Sequence, residues 1–471
     1  MNDVRKFMTR PLGSVTGVPF TDMPPAKTPS RKIAVIGSGI SGLSAAWLLS
    51  KGHEVTLFEK DTRLGGHANT VDLALGQEHV PVDTGFIVYN ELNYPNLVKL
   101  FAHLDVPTKA SNMSFAASLE NGAFEYSGSG IKGLFADRRN MLRPRMWRMI
   151  RDIMKLYRAG PRLSGDLSLA EQPLGAFLEA HGYSRSFQRD HLLPMCAAIW
   201  SLPVEQVEQY PALAFLRFFE NHGLMRVKDR PLWRTVAGGS RSYVTALAGD
   251  MQADIRLGAR IAQVRRAADG VLIHMEEGST ERFDEVVFAC HSDQALALLG
   301  DASGQERAIL GAFPYQKNIA YLHSDTRFMP ANRKVWSSWN YIGGEGEAVC
   351  VTYWMNQLQS LPTATPVLVT LNPGTAPRAE QVYGRFEYDH PVFNRHALRN
   401  QRMLWQLQGV RNTWFCGAYF GAGFHEDGLQ AGLAVAEQLG GVRRPWHLDN
   451  PSSRLLLPPE ALVPLRQAEA A

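Results

Sequence analysis

The chain has 471 residues, of which 45% are hydrophobic and 20% charged, and its 49 Lys and Arg against 45 Asp and Glu give a formal net charge of +4. This composition excludes a disordered or fibrous chain. The small charge argues against a protein whose whole surface binds nucleic acid, so no nucleic-acid partner is expected. The four cysteines lie far apart and form no CxxC spacing, so we expect a reducing compartment, no disulfide framework and no metal.

The first part of the chain has no apolar run of the kind that a secretory signal needs, and it contains five prolines. This pattern predicts a flexible tail over residues 1–30. No stretch reaches the ~18 consecutive apolar residues of a membrane-spanning helix. We therefore expect a cytoplasmic protein.

Residues 32–59 have the pattern of a strand, a helix and a second strand. Lys32–Ile36 is an apolar, β-branched run typical of a buried parallel strand, Leu43–Ser50 has helical periodicity, and Glu54–Glu59 is a second strand that ends in an acid. The turn after the first strand reads GxGxxG and consists of Gly37, Ser38, Gly39, Ile40, Ser41 and Gly42.

There is a physical reason for glycine at each of these three positions of the turn. Gly37 allows a sharp turn, Gly39 lets a pyrophosphate approach the backbone, and Gly42 lets the helix pack closely on the strand. The helix N-terminus presents free N–H groups to phosphates. Glu59 follows Gly42 by 17 residues, where a carboxylate accepts hydrogen bonds from ribose hydroxyls. The segment therefore predicts a dinucleotide site.

At the end of the second strand, Glu59, Arg63, Gly65 and Gly66 follow the spacing E-x(3)-R-x-G-G. This spacing resembles a signature of the FAD-binding amine oxidase superfamily. The resemblance implies FAD as the cofactor, with Arg63 neutralising its pyrophosphate. His67 departs from the pattern, because many family members have a second arginine there. The resemblance assigns the following residues to the cofactor site: Glu59, Lys60, Arg63, Gly65, Gly66 and His67.

Three further segments resemble the way in which this superfamily completes its FAD site. They are the strand 413–418 with its following loop and helix, the returning strand 283–289 with the strand 259–264, and the segment 83–86. The absence of a second GxGxxG argues against a built-in NAD(P)H site. The resemblance adds these residues to the cofactor site: Gly85, Val264, Ala289, Gly417, Asp427, Gly428 and Leu429.

The scattered matches imply an α/β fold in which a discontinuous Rossmann-type FAD-binding domain carries an inserted α+β substrate domain, as in the two-lobed amine oxidases. We assign residues 31–99, 230–310 and 405–445 to the FAD-binding domain. Residues 100–229 and 311–404 form the substrate domain, and residues 446–471 form a C-terminal tail.

Three segments are candidate walls of an apolar channel in the substrate domain. The runs 336–341 and 353–356 are rich in aromatic residues, and 191–200 is an apolar helix. Ordinary packing of a sheet core explains the same aromatic pattern.

Residues 131–162 contain ten basic and two acidic side chains, a net charge of +8, so the rest of the chain carries −4. A helical projection separates Met, Trp and Ile from Arg and Lys. Such a helix can lie in the interface of an anionic membrane. A helix that packs its apolar side on the core and exposes its basic side gives the same pattern.

The loop and helix at 425–427 supply candidate catalytic residues. His425 is placed beside the flavin as a group that moves protons, and Glu426 orients it or acts as the base. Lys317 resembles the lysine that holds a water near the flavin in amine oxidases. The alternative for Glu426 and Asp427 is that they cap the helix, and the alternative for Lys317 is an exposed or ion-paired lysine.

Several longer runs resemble one branch of FAD/NAD-binding proteins, whose relatives occur beside or fused to cyclopropane-fatty-acid synthases. The runs are 81–90, 192–201, 315–325, 336–341 and 423–433. This resemblance implies a fatty-acyl substrate in phospholipid. It also points to a lipid methyltransferase as a partner, while the basic segment 131–162 is the candidate for peripheral contact with the inner membrane surface.

We therefore predict an FAD-dependent oxidoreductase that removes hydride from an unsaturated or methyl-branched acyl chain. Three alternatives stay open: a fatty-acid double-bond isomerase, a flavin amine oxidase, and a non-catalytic flavoprotein partner of a lipid methyltransferase.

Overall fold

The computed structural model describes residues 29–200, 204–343 and 350–458. The predicted N-terminal tail lies almost wholly outside the described residues, as does the second half of the predicted C-terminal tail. Within the described part, the strands are β1 (Lys32–Ile36), β2 (Glu54–Phe58), β3 (Thr70–Leu75), β4 (Glu78–Asp83), β5 (Val88–Asn90), β6 (Thr108–Ala110), β7 (Phe115–Leu119), β8 (Phe124–Ser127), β9 (Trp233–Val236), β10 (Ala253–Arg256), β11 (Ile261–Ala267), β12 (Gly270–Met275), β13 (Thr280–Phe283), β14 (Glu285–Phe288), β15 (Tyr315–His323), β16 (Trp339–Gly343), β17 (Cys350–Trp354), β18 (Leu368–Leu371), β19 (Val382–Pro391) and β20 (Thr413–Phe415).

The α-helices of the same residues are α1 (Ile40–Leu49), α2 (Pro95–His103), α3 (Gly130–Leu134), α4 (Pro144–Leu163), α5 (Leu174–Ala180), α6 (Arg185–Phe187), α7 (Leu193–Trp200), α8 (Val204–Glu208), α9 (Ala212–Asn221), α10 (Arg241–Gly249), α11 (Ser292–Leu298), α12 (Gly304–Leu310), α13 (Met355–Leu358), α14 (Arg395–Gln401) and α15 (His425–Gly440). Short 3-10 segments join several of them.

A five-stranded parallel sheet in the order β10-β2-β1-β14-β20 carries the predicted strand–helix–strand unit. Its central strand β1 is buried almost throughout, as its continuous apolar run requires. All ten residues of α1 are buried, because α15 and α10 pack against it. The unit predicted from the GxGxxG turn is therefore present.

A second sheet of seven strands has the order β19-β15-β18-β17-β16-β7-β8. Its neighbours are antiparallel except for the parallel pair of β16 and β7. This sheet has its own apolar core, which includes Tyr126, Val351 and Val369. Together with the parallel sheet, it confirms the predicted α/β class with a Rossmann-type domain and a second lobe.

The strands of the parallel sheet come from the three segments that we assign to the FAD-binding domain, and those of the seven-stranded sheet from the two segments of the substrate domain. A smaller sheet, β5-β9-β6, joins the two sets, because β6 lies just after the predicted boundary at residue 100 and pairs with β9. The boundaries themselves stay predictions.

Helix α4 does not have its apolar side free for a membrane. Met146, Met149, Leu156 and Leu163 are buried against the protein, while its arginines are largely exposed. The alternative of a helix that packs its apolar side on the core and exposes its basic side is therefore the one observed, and contact of the segment with an anionic membrane stays a prediction. None of the described helices is long and apolar enough to cross a membrane.

Candidate functional site

A cavity of about 1550 Å³ extends from the glycine-rich turn of the parallel sheet to the seven-stranded sheet and the helices beside it. Ordinary ligand pockets measure about 300–1,000 Å³. The cavity therefore has room for a large cofactor and a second molecule.

Most residues that we assigned to the cofactor from the sequence lie at one end of this cavity. We call this part the cofactor end. The lining residues among them are Gly37, Ser38, Gly39, Ile40, Ser41, Glu59, Lys60, Arg63, Gly65, Gly66, His67, Gly85, Ala289 and Gly417.

The glycine-rich turn leaves space where an anion can bind. A Cβ atom on Gly39 would have no neighbouring protein atom within 4 Å, so this position opens into the cavity. Helix α1 begins there without a side-chain cap and without an acid in its first turn. Its first N–H groups and the positive end of its dipole are therefore available to a phosphate.

Gly42 supports the turn from behind and does not line the cavity. A Cβ atom on Gly42 would lie 1.8 Å from the carbonyl oxygen of Gly37, so only glycine allows α1 to pack this closely. Gly37 itself has a φ of 101°, which favours glycine. Both observations agree with the roles expected of these residues in a dinucleotide-binding turn.

Glu59 is buried and already holds the turn in place. Its carboxylate accepts hydrogen bonds from Ser38 N (2.8 Å), Ser38 Oγ (2.6 Å) and Asp61 N (2.9 Å). A carboxylate has about four lone-pair sites, so it keeps capacity for a ribose hydroxyl. Arg63 lines the cavity and donates to the carbonyl oxygens of Gly66 (2.8 Å) and Ala68 (3.3 Å), which fixes the loop beside the turn.

Glu426 is not a catalytic base, which corrects the expectation from the sequence. Its carboxylate is fully buried outside the cavity lining and accepts from Asn96 N (3.0 Å), Asn96 Nδ2 (2.9 Å), Leu97 N (3.0 Å) and Gln430 Nε2 (2.9 Å). It therefore caps helix α2. Burial raises the pKa of this carboxyl.

Asp427 is likewise a cap and not a cofactor ligand. Its Oδ2 accepts from Phe424 N (2.7 Å) and Ala422 N (3.0 Å) at the start of α15, and its Oδ1 accepts from Arg454 (3.1 Å). The pair with Arg454 attaches the chain after residue 446 to this helix. The alternative that these acids cap the helix that they begin is thus correct for Asp427, whereas Glu426 caps α2 instead.

Gly428, Leu429 and Val264 also lie outside the lining, which corrects their assignment to the cofactor. Gly428 packs α15 on α1, since its Cβ would lie 2.8 Å from Ser41 Oγ, and Leu429 is fully buried beside it. Val264 is buried in β11, where it forms a β-bridge with Leu299, and the cavity touches this part of the chain at residues 259–261, where that strand begins.

Lys317 does not reach the cavity. It lies on the outer face of β15, its side chain is 63% exposed, and its ammonium group pairs with Glu387 at 3.0 Å. The role of holding water near the flavin is therefore wrong for this lysine.

His425 lines the cavity as expected, but as part of an aromatic wall. Its ring stacks on Phe86 with the centroids 3.7 Å apart and the planes 8° from parallel, and Nε2 is hydrogen-bonded to Tyr243 Oη at 2.6 Å. Burial lowers the pKa of His425 to about 3. The imidazole is therefore neutral at physiological pH, and its Nε2 is already engaged by Tyr243.

A cluster of rings around His67 is the feature of the site that the sequence reasoning missed. The ring of His67 lies 5.1 Å from Tyr388, 5.4 Å from His390 and 6.1 Å from His291, measured between centroids. Its buried Nε2 has no hydrogen-bond partner among the described residues. Burial, followed by the charges of His390 and His291, lowers the pKa of His67 well below its ordinary value.

Part of this cluster had a signal in the sequence. His291 follows the carboxyl end of parallel strand β14, where ligands of α/β sheets bind. Tyr388 and His390 come from β19 and no local motif marks them. The described residues contain no group of His, Cys, Asp and Glu able to hold a metal ion.

The other end of the cavity, which we call the apolar arm, is lined by residues of α4, α7, α9, β7, β16 and β17. Every lining residue from these six elements is aromatic, aliphatic or methionine. They include Phe115, Ile153, Met195, Ile199, Trp339 and Tyr353. The aromatic strands and the apolar helix selected from the sequence thus do line a channel.

The parallel sheet, the anion-accepting turn and the adjoining cavity indicate a dinucleotide-binding protein. A model of the family of flavin-containing amine oxidoreductases matches residues 40–381. This match covers more than half of the chain, and the chain belongs to that family. The predictions of FAD as cofactor and of an FAD-dependent oxidoreductase class are confirmed.

Individual relatives differ in what their names describe. A 4,4'-diapophytoene desaturase (4,4'-diaponeurosporene-forming) of Staphylococcus aureus strain bovine RF122 / ET3-1 is 62% identical over 39 residues, which are 8% of each chain. A candidate flavin-containing monoamine oxidase of Mycobacterium tuberculosis is 25% identical over 257 residues, which are 53% of this chain and 54% of that protein. The chain thus spans about half or less of these curated relatives.

A solved structure has the same overall fold. It is a fatty acid isomerase from P. acnes that produces CLA, with a TM-score of 0.62 and 16% identity over 86% of this chain and 97% of that one. At this identity the likeness concerns the fold alone.

Proposed function

We propose that the protein is an FAD-dependent oxidoreductase that removes hydride from an unsaturated or methyl-branched fatty-acyl chain. The observation that carries this proposal is the apolar arm, which adjoins the cofactor end in one continuous cavity. A long hydrocarbon chain gains about 0.8 kcal/mol for each CH₂ that it buries, so an uncharged wall of this kind selects an acyl chain.

The charges of the cavity support an acyl chain over an amine. The acidic lining residues are Glu59, Asp61, Glu276, Glu387 and Asp389, and none belongs to the six elements of the apolar arm. An ammonium group buried in the arm would have no carboxylate partner there, and burying an unpaired charge is costly. Lys317, the specific feature that favoured an amine oxidase, lies outside the cavity.

FAD, when bound, supplies the hydride acceptor. The residues that would hold it are those of the cofactor end, with the pyrophosphate at the start of α1. The chain's own part is to align the substrate C–H bond along the apolar arm and to exclude water. Loss of hydride from one carbon leaves the neighbouring C–H acidic.

We assign the acceptance of that proton to Nε2 of His67. This nitrogen is unpaired among the described residues and belongs to a residue that lines the cavity at the cofactor end. Burial keeps the imidazole neutral, which is the form able to take up a proton. A weak base suffices, because the C–H bond beside a carbon that has lost hydride is strongly acidic.

The relatives add limited support. The name of the Staphylococcus aureus relative describes a desaturation, which is the same class of reaction. The association with cyclopropane-fatty-acid synthases, a lipid methyltransferase partner and a cytoplasmic location all stay predictions from sequence resemblance and composition.

The test is anaerobic mixing of the FAD-loaded protein with mono-unsaturated or methyl-branched fatty acids and, separately, with mono- and polyamines. We expect the visible absorption of the flavin to bleach with the acyl compounds alone, and mass analysis to show a product lighter by two hydrogens. Ala198→Leu, which narrows the apolar arm at a buried lining residue, is expected to slow bleaching by the longer chains.

Each other result identifies an alternative. Bleaching by amines alone contradicts the proposal and identifies an amine oxidase. A product of unchanged mass with shifted double bonds identifies an isomerase. If neither the acyl compounds nor the amines react while FAD is bound, the result favours a non-catalytic flavoprotein partner of a lipid methyltransferase.

A further inference from the structure

The apolar arm reaches the surface beside exposed apolar side chains. Gly128, Ser129, Val227 and Arg230 line the same cavity outside the six elements of the arm and are exposed to solvent, so we place the mouth of the arm at these residues. Next to them in the chain lie Ile131 and Leu232, with 76% and 75% of their surface exposed.

Helix α4 adjoins this mouth. Its residues Ile153 and Tyr157 line the arm, and Arg230 at the mouth donates to the hydroxyl of Tyr157 at 3.4 Å. Gly160 of α4 packs directly on Met225, where a Cβ would lie 2.2 Å from the sulfur. The exposed Arg230 thus meets α4 at Tyr157, next to the exposed Arg158, so the mouth adjoins the outer face of α4.

More apolar side chains are exposed at the start of α4. Leu142 has 88% of its surface exposed and Trp147 has 53%. The ring of Trp147 packs on Phe135, at 5.4 Å between centroids, and Phe135 follows Leu134, which lines the cavity. Exposed large apolar side chains close together mark a surface that contacts another apolar phase or partner.

We call Leu142 and Trp147 the apolar corner. Positive charge continues from this corner along the outer face of α4. Arg151, Lys155, Arg158 and Arg162 border a shallow depression there. Neither Arg148 nor Arg158 forms an ion pair with another described residue. Residues 131–162 carry a net charge of +8 while the rest of the chain carries −4, so the charge is concentrated on this side.

We propose that this surface docks the protein on an anionic phospholipid bilayer. We define the docking surface as the exposed apolar residues Ile131, Leu142, Trp147, Val227 and Leu232 together with the basic outer face of α4. Charge complementarity selects the anionic headgroups, and the apolar side chains enter the interface beside the mouth. An acyl chain then passes from the bilayer into the apolar arm without crossing water, an access route that rests on the proposed function.

This arrangement differs from that of an amphipathic helix embedded by its apolar side. The apolar side of α4 forms part of the protein core, and membrane contact comes from the opposite, basic face and from the apolar corner at its start.

The experiment is co-sedimentation of the FAD-loaded protein with vesicles of phosphatidylcholine, alone or mixed with phosphatidylglycerol. We expect binding to the mixed vesicles to be at least about tenfold stronger and to weaken with salt, since each basic residue near an anionic surface contributes separately. Arg148→Glu/Arg158→Glu should weaken binding to mixed vesicles at least about tenfold. The control Arg265→Glu/Arg395→Glu makes the same charge change elsewhere and should leave binding within about twofold of wild type.

A second pair of variants tests the apolar corner. Leu142→Ser/Trp147→Ser leaves the charge unchanged and should also weaken binding to mixed vesicles. Equal binding to both kinds of vesicle, no binding to either, or an equal loss in the control pair would overturn the proposal.

Turnover separates this proposal from the proposed function. With a soluble short-chain fatty acid, Arg148→Glu/Arg158→Glu should react as wild type does, whereas turnover of vesicle lipid should fall with vesicle binding. Vesicle binding without conversion of any acyl compound would contradict the proposed function and leave the docking surface standing. Conversion of soluble fatty acid without vesicle binding would contradict the docking surface and leave the proposed function standing.

Discussion

Gly39→Ala places one methyl group in the cavity at the start of α1, where we place the pyrophosphate of FAD. The backbone at Gly39 has a φ of −64° and a ψ of 177°, which any residue adopts, and no protein atom lies within 4 Å of the added Cβ. The folded protein without FAD therefore accepts the methyl group without a clash.

Two magnitudes follow from this geometry. Without FAD, the free energy of unfolding should stay within about 1 kcal/mol of wild type, because the lower entropy of the unfolded alanine chain and the weaker helix cap largely offset each other. FAD must shift to avoid the methyl group, and overpacking of this kind costs about 1–3 kcal/mol. The dissociation constant of FAD should therefore rise about 5- to 150-fold.

The assay is denaturant unfolding of the FAD-free protein together with titration of FAD, followed by the quenching of flavin fluorescence. Gly249→Ala is a matched control, because its Cβ also meets no atom within 4 Å but it lies outside the cavity lining. The control should bind FAD as wild type does. Unchanged FAD affinity in Gly39→Ala would refute the placement of the cofactor.

Four further outcomes are expected. Glu426→Gln presents an amide to N–H donors that meet a carboxylate in the wild type, so it should lower the free energy of unfolding by about 2–4 kcal/mol. The rate of flavin reduction per bound FAD should stay within about threefold of wild type, and an intact fold that has lost flavin reduction would restore a catalytic role for Glu426. Lys317→Met should leave the anaerobic reduction rate within about twofold, because exposed ion pairs contribute little, and a tenfold loss would contradict its placement. His67→Phe should retain FAD but slow flavin reduction by acyl substrate about 100-fold or more, as measured by stopped flow, whereas an equal loss in His425→Phe would show that His67 has no special role. Urea unfolding should show that the free energy of unfolding falls as the pH drops below 6.5, because the lowered pKa values of the six cavity histidines let only the unfolded chain take up the protons. Each histidine contributes up to about 1.4 kcal/mol per pH unit, and a flat profile from pH 7 to 5 would contradict this.

The glycine-rich turn could be predicted because its constraints are local. The backbone angle at Gly37 and the close packing at Gly42 depend on residues within one strand, one turn and one helix. A pattern of residue types at fixed spacing therefore determines both the local geometry and the anion-binding property.

Glu426 could not be assigned in the same way. Its partners Asn96 and Leu97 lie about 330 residues away in the chain, and nothing near Glu426 in the sequence indicates that a helix N-terminus approaches it. The same holds for the cluster around His67, which β14 and β19 bring together from distant segments.

For Lys317, alternation along β15 separates two faces but does not say which one is buried, because Ile319 and Tyr321 share the face of Lys317. In the structure the opposite face, which includes Asn318 and Ala320, is buried, so Lys317 lies on the outer face. Helix α4 shows a similar difficulty: its periodicity separates an apolar from a basic side, but the pattern alone does not say whether protein or lipid covers the apolar side.

The central claim, that an acyl chain occupies the apolar arm beside the flavin, is tested most directly by binding without turnover. Saturated fatty acids of increasing length would be titrated into the FAD-loaded protein, with the flavin absorption spectrum reporting occupancy. We predict that the dissociation constant falls about fourfold for each added CH₂ until the arm is filled, and that Ala198→Leu ends this series at a shorter chain. Affinity that does not depend on chain length, or tighter binding of amines than of any fatty acid, would contradict the claim.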